Sequence, residues 1–285
     1  MQIVESLEDV KASSQAFKDQ GKTIASIATF GDLHDGHISL IELAKSSADI
    51  VVMSKYYDTH RENSGRRQSI ITKYMETCFT KDIEFCELHG VDLFWNYVDN
   101  PDEILFFKEG VSANITSLML FFTRRCASPI DSYARVWPQR LMAEKADFLI
   151  LGEKDFHLNM LMGYSIKDLN LPIKLVTTPI VRDSDGLPFS SRNSQLTKAE
   201  RGKALSMPET LKDISEWSSY PSVKEIKKYF ISAIKNAGGQ TWYADVCDAT
   251  TGEPVSVVDK EVVFAVATNF GNFVYLSDNI LISPK

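Results

Sequence analysis

The sequence is poor in features that mark several classes of protein. It has 4 Cys among 285 residues and no Cys-x-x-Cys pair, which is typical of free thiols in a reducing compartment. No stretch approaches the roughly 20 uninterrupted apolar residues that cross a bilayer. The first segment, MQIVESLEDVKASSQ, has acidic residues where a signal peptide would have basic and then apolar ones. We therefore expect a cytoplasmic protein with no membrane partner.

Basic residues are also in deficit. Lys and Arg total 31 against 38 Asp and Glu, which gives a formal net charge of −7. Because nucleic-acid binding needs a basic face to neutralise phosphates, we expect no nucleic-acid partner, although a local basic pocket remains compatible with this charge. With 44% hydrophobic and 24% charged residues the composition is that of a globular protein, and the length indicates about two domains.

Apolar segments alternate with helical patterns in the first part of the chain. Residues 22–29 form an apolar, β-branched run, residues 38–47 carry a helical apolar stripe, and residues 49–54 form a second apolar run. This order predicts a βαβ unit, whose strands are parallel and joined by a right-handed crossover.

The predicted elements divide the chain into two domains. Since strand–helix alternation weakens after about residue 180, we predict an α/β fold, with a Rossmann-like parallel-sheet domain at 1–180 and a smaller α+β domain at 181–285. Residues 55–68 are polar and predict a loop. Further predicted helices cover residues 69–89, 129–145 with Pro138 inside, a segment ending near 169, 198–212 and 222–237. Further predicted strands cover residues 91–98, 147–151, 173–178, 241–246, 262–267, 273–277 and 280–282.

The first candidate site is the histidine loop, residues 29–37, with the sequence TFGDLHDGH. It follows an apolar strand and begins a helix, and ligands in open α/β sheets bind beyond the carboxyl ends of strands. Gly31 and Gly36 allow the backbone to turn and approach a ligand closely. His34 and His37 can donate to phosphate oxygens beside the free N–H groups of the helix N-terminus. This pattern predicts a site for an anionic ligand.

Two further segments carry polar side chains suited to phosphate. Gly152-Glu153-Lys154-Asp155 follows another apolar strand, so Lys154 could face developing negative charge, although a helix cap explains Asp155 equally well. Ser190-Ser191-Arg192-Asn193 offers two hydroxyls and a guanidinium, although a solvated hinge explains it equally well alone. The occurrence of all three segments in one chain, in this order, is much harder to explain by chance than any one of them alone.

These segments resemble the pantothenate synthetase (pantoate–β-alanine ligase) family, a branch of the HxGH nucleotidyltransferase-like superfamily. The stretches that carry the resemblance are GDLHDGHISLIELAK at 31–45, GEKDF at 152–156, DLNLPI at 168–173, VRDSDGLPFSSRNSQLT at 181–197 and, more weakly, LSDNI at 276–280. The resemblance implies a Rossmann-like domain with a smaller C-terminal lid, and a homodimer formed through the larger domain. It also implies an ATP–Mg²⁺-dependent ligase that activates a carboxylic acid as an acyl-adenylate and joins it to an amine, releasing pyrophosphate and AMP.

The same resemblance assigns roles to individual residues. It implies that ATP phosphates are held by His34, His37, Lys154, Ser190, Ser191 and Arg192. It places Gly152 and Asp155 at the ribose and Val181 and Phe189 beside the adenine, and it counts Thr29, Phe30, Gly31 and Gly36 among the residues that bind the nucleotide. No metal-ligating side chain is assigned.

The departures from the family pattern fall on the acid pocket. The family's Asn-Pro-x-Gln segment is replaced by residues 58–61, which puts Arg61 where a pantoate-binding glutamine belongs, and a second such glutamine is replaced by Leu158. A lost hydrogen-bond donor costs about 1–3 kcal/mol when its partner stays buried and unpaired. We therefore predict that the acid is one other than pantoate, with a bidentate grip from Arg61. The residues assigned to this pocket are Asp58, His60, Arg61, His157 and Leu158.

Three other functions remain open at this point. The chain could be a divergent pantothenate synthetase that still condenses pantoate with β-alanine, since Arg61 could be a solvated loop residue. It could be a nucleotidyltransferase, because the HxGH motif is shared with such enzymes. It could also be a non-catalytic nucleotide-binding protein, against which the presence of His34, His37, Lys154 and Arg192 argues.

Overall fold

The computed structural model describes residues 1–55, 77–96, 130–271 and 275–285, with the backbone alone for 130–136. The chain divides into two compact units. Met1–Gly152 and Leu161–Thr178 form the first unit, and Glu153–Met160 and Pro179–Lys285 form the second. Glu153–Met160 thus groups with the second unit, and the domain boundary near residue 180 stays a prediction.

Six parallel strands form the sheet of the first unit. The strands are β1 (Gln2–Val4), β2 (Ile24–Thr29), β3 (Ile50–Lys55), β4 (Leu93–Asn96), β5 (Phe148–Gly152) and β6 (Lys174–Thr178). Their order across the sheet is β1-β4-β3-β2-β5-β6, and every neighbouring pair is parallel. The helices that accompany them are α1 (Leu7–Asp19), α2 (Ile38–Ser47), α3 (Phe79–His89), α4 (Ile130–Ala143) and α5 (Phe156–Asp168), of which α5 belongs to both units.

Both faces of the parallel sheet are covered, as this architecture requires. Every residue of β3 is buried, and its alternate side chains enter two different apolar clusters. One cluster contains Ile27, Ile41, Met53, Cys86 and Phe94. The other contains Val10, Ile24, Val52, Trp95 and Ala143. Continuous apolar runs therefore predict these strands correctly, because a strand whose two faces are both buried has no polar face and shows no alternation.

The carboxyl ends of the three central strands are in register. Thr29 at the end of β2 pairs with Lys55 at the end of β3, and Lys55 pairs with Asn96 at the end of β4. All three residues are polar and buried. A polar row therefore replaces the apolar core at the edge of the sheet where α/β proteins bind ligands.

The second unit is an antiparallel sheet with helices. Strands β7 (Gln240–Asp248), β8 (Val262–Asn269) and β9 (Tyr275–Ile282) pair in that order. Its helices are α6 (Lys198–Ala204), α7 (Ser206–Glu216) and α8 (Val223–Asn236). The apolar stripes of α7 and α8 pack on the sheet, and the rings of Phe230 and Phe264 meet edge to face with centroids 5.4 Å apart.

The predicted α/β fold class is confirmed, and most predicted elements are present within one or two residues. The sequence prediction missed β1 and α1, because β1 has only three residues and α1 buries only Val10 and Ser14. The predicted helix 129–145 is observed as α4, which continues through Pro138. Predictions for residues 55–68, 69–76 and 97–98 fall wholly or mostly outside the described residues.

Two predicted boundaries are wrong. The single helix expected over 198–212 is two helices, α6 and α7, which meet at Leu205. Pro208 explains the break, because it has no N–H for the Ala204 carbonyl and its ring crowds that carbonyl. The two strands expected at 273–277 and 280–282 are one strand, β9, because the intervening Asp278 and Asn279 are buried with polar partners.

Over the parts of the chain that the structure describes, each helix is too short or too polar to span a bilayer.

Candidate active site

The histidine loop leaves β2 through a sharp backbone turn. Gly31 has φ +82° and Asp32 has φ +56°, both in the left-handed region. The Thr29 hydroxyl closes the turn by accepting the Gly31 N–H at 3.0 Å. Glycine adopts this conformation freely, whereas an aspartate there needs support from its surroundings. A short 3₁₀ turn, Asp35–His37, then leads directly into α2.

The two histidines of the loop lie against each other. Their ring centroids are 4.2 Å apart, and the backbone N–H of His34 donates to Nδ1 of His37 at 3.2 Å. Since Nδ1 of His37 accepts, its ring proton is on Nε2, which lies 3.4 Å from the Thr29 hydroxyl oxygen. The two rings therefore lie together at the N-terminal end of α2.

A buried carboxylate holds the backbone of the loop. Asp82 lies in the first turn of α3 and is 2% exposed. Its Oδ2 accepts the N–H of Asp32 at 2.9 Å, and its Oδ1 accepts the N–H of Leu33 at 2.7 Å. Sequence analysis did not identify this residue, because nothing local to an Asp within a helical segment indicates a partner 50 positions earlier.

A buried lysine lies at the end of the neighbouring strand. Lys55 is 2% exposed. Burial lowers the pKa of its ammonium to about 7, an effect that Arg140 adds to and the charge of Asp82 partly offsets. The sequence analysis predicted Lys55 as the first residue of the loop 55–68, and this is wrong, because Lys55 is the last and buried residue of β3.

Two further buried charged residues, Arg140 and Glu144, lie on the opposite face of the sheet. Arg140 donates from Nη2 to the carbonyl of Lys55 at 3.3 Å, and its guanidinium lies 4.7 Å from the centroid of the Trp95 ring. Glu144 is fully buried. Burial raises the pKa of the Glu144 carboxyl, while Arg140 and the nearby hydroxyls of the strands act in the opposite direction. Charged groups thus flank both faces at the end of β3.

In the second unit, the lysine of the GEKD segment is fixed by backbone groups. Lys154 donates from Nζ to the carbonyl of Phe189 at 2.9 Å. The amide of Asn279 donates to the carbonyls of Glu153 at 2.7 Å and of Lys154 at 2.9 Å. The Ser277 hydroxyl lies 3.4 Å from Oδ1 of Asp155. Strand β9 therefore sets the position of the segment.

The SSRN segment forms a short 3₁₀ turn next to that lysine. The Ser190 hydroxyl caps the turn by accepting the Arg192 N–H at 3.3 Å, and Ser191 begins it. Arg192 donates to the carbonyl of Tyr275 at 3.1 Å. Just before the turn, the Phe189 N–H donates to the carbonyl of Val181 at 3.0 Å, which brings these two predicted adenine neighbours together.

A bidentate ion pair joins Arg182 to strand β9. Arg182 donates to both carboxylate oxygens of Asp278 at 2.8 and 2.9 Å, and the side chain of Asp278 is fully buried. Burial raises the pKa of the Asp278 carboxyl, and Arg182 opposes that rise. The resemblance noted at residues 276–280 drew attention to β9, but the roles of Asp278 and Asn279 needed the tertiary structure.

The structure describes only part of the predicted acid pocket. Asp58, His60 and Arg61 lie outside the described residues. Leu158 is half-buried on α5, and the His157 ring meets the Tyr243 ring edge to face at 5.1 Å. Among the other predicted positions, Gly36 is in the 3₁₀ turn of the histidine loop, Gly152 ends β5 opposite Thr178, and Phe30 is exposed.

The structure thus brings the predicted site residues together in two sets. The first unit groups Thr29, Gly31, His34 and His37 at the carboxyl edge of its sheet. The second unit groups its predicted residues around β9 and two 3₁₀ turns, Glu153–Asp155 and Ser191–Gln195. These residues are Lys154, Asp155, Val181, Phe189, Ser190, Ser191 and Arg192. In the first unit the groups that can donate to an anion come from one loop, whereas in the second unit they come from segments distant in sequence.

Fold and site define an α/β protein with a six-stranded Rossmann-like sheet, a histidine loop at its strand ends and a small antiparallel unit. Comparison with known proteins makes the class specific. A model of the Pantoate-beta-alanine ligase family matches residues 2–281. The chain therefore belongs to the pantoate–β-alanine ligase family, as its motifs indicate.

Individual relatives agree with this membership. The chain is 32% identical to the pantothenate synthetase of Caldicellulosiruptor saccharolyticus over 290 residues, which cover 99% of both chains. A solved pantothenate synthetase from Thermus thermophilus superposes with a TM-score of 0.82 and full coverage of both chains at 22% identity, which supports the fold. A pantoate-beta-alanine ligase from Francisella tularensis, solved in complex with beta-gamma ATP and beta-alanine, has a TM-score of 0.72 at 25% identity and covers 99% of this chain and 97% of its own.

Proposed function

We propose that this protein condenses pantoate with β-alanine in an ATP-dependent reaction that releases AMP and pyrophosphate. The observation that carries the proposal is the match of the pantoate–β-alanine ligase family model over residues 2–281. The Francisella tularensis relative, solved with beta-gamma ATP and beta-alanine, supports both co-substrates. These comparisons support pantoate better than the different acid predicted from Arg61 and Leu158.

The reaction as proposed has two steps with a balanced exchange of bonds. A carboxylate oxygen of the acid attacks the α-phosphorus of ATP, and the bond from that phosphorus to pyrophosphate breaks. The uncharged amine then attacks the acyl carbon, and AMP leaves with the electron pair of the acyl–oxygen bond while the amine loses a proton. Positioning and charge stabilisation supply the catalysis, because the substrates themselves provide the nucleophiles.

We assign the phosphate-binding role to two sets of residues. In the first unit, His34 and His37 donate to phosphate oxygens beside the N-terminus of α2, where the helix dipole favours negative charge. The rings are tilted against each other with centroids 4.2 Å apart, which limits how either ring can turn, so little reorganisation is needed when charge develops. Phe30 and the glycines Gly31 and Gly36 shape the wall of this set.

The second set lies in the second unit. Lys154 and Arg192 supply positive charge, and the hydroxyls of Ser190 and Ser191 supply neutral donors. Two of these side chains now donate to backbone carbonyls, Lys154 to Phe189 and Arg192 to Tyr275, and would exchange those acceptors for phosphate oxygens. The remaining assignments are Gly152 and Asp155 at the ribose, and Val181 and Phe189 at the adenine.

Magnesium would enter on the nucleotide. Within the described residues no three His, Cys, Asp or Glu side chains come together as a metal-binding group. Mg²⁺ commonly keeps several waters and binds through substrate phosphates, so its proposed role is to neutralise phosphate charge. The cytoplasmic location and the homodimer formed through the larger domain stay predictions, as does the assignment of Asp58, His60, Arg61, His157 and Leu158 to the acid.

The test is a comparison of acids in one assay. The protein is incubated with ATP, Mg²⁺, β-alanine and either pantoate or one of a panel of other small carboxylic acids, and pyrophosphate, AMP and the amide are measured. Pantothenate and stoichiometric AMP with pantoate support the proposal. Turnover with another acid and none with pantoate would establish the different-acid prediction instead, and a stable nucleotide conjugate without amide would indicate a nucleotidyltransferase.

A further inference from the structure

The histidine loop begins in a backbone conformation that its own sequence does not favour. Asp32 has φ +56°, in the left-handed region, directly after Gly31 at φ +82°. Aspartate adopts this conformation more readily than most non-glycine residues, but hydrogen bonds from the surrounding structure are needed to make it the single conformation. The holding group must act on the backbone of residues 32 and 33, because those residues connect the turn to His34.

Asp82 is placed to do this. It is 2% exposed, and each of its two carboxylate oxygens accepts one N–H of the loop, from Asp32 at 2.9 Å and from Leu33 at 2.7 Å. Charge-assisted bonds of this length are stronger than bonds between neutral groups. The carboxylate therefore fixes two consecutive peptide groups, which sets the direction in which the chain enters the His34–His37 turn.

A second buried charged side chain, Lys55, interacts with Asp82. Lys55 ends the neighbouring strand, is 2% exposed and interacts electrostatically with Asp82. Lys55 also pairs in register with Thr29, the residue that begins the histidine loop. A buried carboxylate is tolerated where hydrogen bonds compensate it, and Asp82 accepts two from the loop backbone.

We infer that Asp82 is a positioning residue for the histidine loop. Asp82 acts through the backbone of Asp32 and Leu33 on the placement of His34 and His37. The consequence for ATP turnover rests on the proposed function, whereas the placement of the histidines does not. The two can therefore be tested separately.

The test substitutes Asp82→Asn in the full-length protein. Asparagine has the same shape, but its amide nitrogen is a donor and would face one of the two loop N–H groups, so only one of the two bonds survives. We expect kcat/KM for ATP to fall by roughly 10- to 100-fold, because small displacements of catalytic groups have effects of that size. The matched control is Asp49→Asn, because Asp49 likewise accepts a backbone N–H, from Thr23 at 2.9 Å, at the opposite end of β2. We expect the control to keep kcat/KM within about twofold.

A second readout does not depend on activity. In ¹H–¹³C NMR spectra of the five histidines, Asp82→Asn should shift the Cε1–H resonances of His34 and His37 and leave those of His89 and His157 in place. His89 is a useful internal reference because it lies in α3, the same helix as Asp82. Unmoved His34 and His37 resonances in folded Asp82→Asn overturn the inference, whatever the activity.

The remaining outcomes are also decisive. A wild-type protein that makes no pantothenate, combined with shifted His34 and His37 resonances in Asp82→Asn, refutes the proposed function and supports the positioning role. If Asp82→Asn does not fold, Asp82→Ser takes its place, since it leaves room for water at the loop N–H groups. Failure of both variants to fold overturns the inference, because Asp82 would then stabilise the unit as a whole rather than the loop.

Discussion

The buried Lys55 gives the first unit a pH-dependent stability that one substitution should remove. Burial lowers the pKa of its ammonium from 10.5 in an ordinary setting to about 7 in the folded protein. Between these values the unfolded chain binds more protons than the folded one, so the free energy of unfolding rises with pH in that window. Below about pH 6 both states hold the proton, and the contribution no longer changes.

The linkage relation gives the size of the effect. With the folded and unfolded values of about 7 and 10.5, the wild-type protein should gain about 2 kcal/mol relative to Lys55→Met on going from pH 7 to pH 9. Lys55 is 2% exposed, so solvent screens its charge little and the pKa shift translates into a difference in the free energy of unfolding. The other titratable groups are the same in wild type and Lys55→Met, so their contributions cancel when the two free energies of unfolding are subtracted.

Urea denaturation at several pH values measures this difference. Trp217→Phe and Trp242→Phe in every variant would make the fluorescence report the first unit, where Trp95 and Trp137 are buried. Lys11→Met, on the exposed face of α1, is the control for losing a lysine charge. If wild type and Lys55→Met differ by the same amount at pH 7 and pH 9, to within about 0.5 kcal/mol, the reasoning about Lys55 is refuted.

Three further outcomes follow from the site geometry. His34→Ala should lower ATP–pyrophosphate exchange by a factor of ~100 or more, because a preorganised donor is lost. The control His89→Ala should leave the exchange rate unchanged, and normal exchange in His34→Ala would contradict the phosphate role. Arg182→Met should destabilise the second unit by roughly 3–5 kcal/mol, because it leaves the buried carboxylate of Asp278 without its cation, and an unchanged thermal midpoint would disprove this. Asn279→Leu should cost about 1–3 kcal/mol for each carbonyl left unpaired, measured by denaturant unfolding, and a loss well below 1 kcal/mol would show that water replaces the amide.

The sequence alone determined the parts of this protein that depend on neighbouring residues. A β-branched run followed by a glycine-flanked turn and an apolar stripe predicts a strand, a loop and a helix, and therefore places His34 and His37 at the carboxyl edge of a parallel sheet. The same local logic identified the segments around Lys154 and Arg192, since each follows a strand or fills a turn-rich stretch. Motif order along the chain was then enough to indicate the family.

Only the tertiary structure decided which residues support those motifs. Asp82 is 50 positions from Asp32, and Asn279 is 125 positions from Lys154, so no local pattern could pair them. Lys55 is buried because β3 pairs on both sides, with β2 and with β4, and these pairings form only on folding. Short-range signals determine where a chain turns and what side chains it presents, whereas the partner of a buried charge is set by packing between segments that meet only on folding.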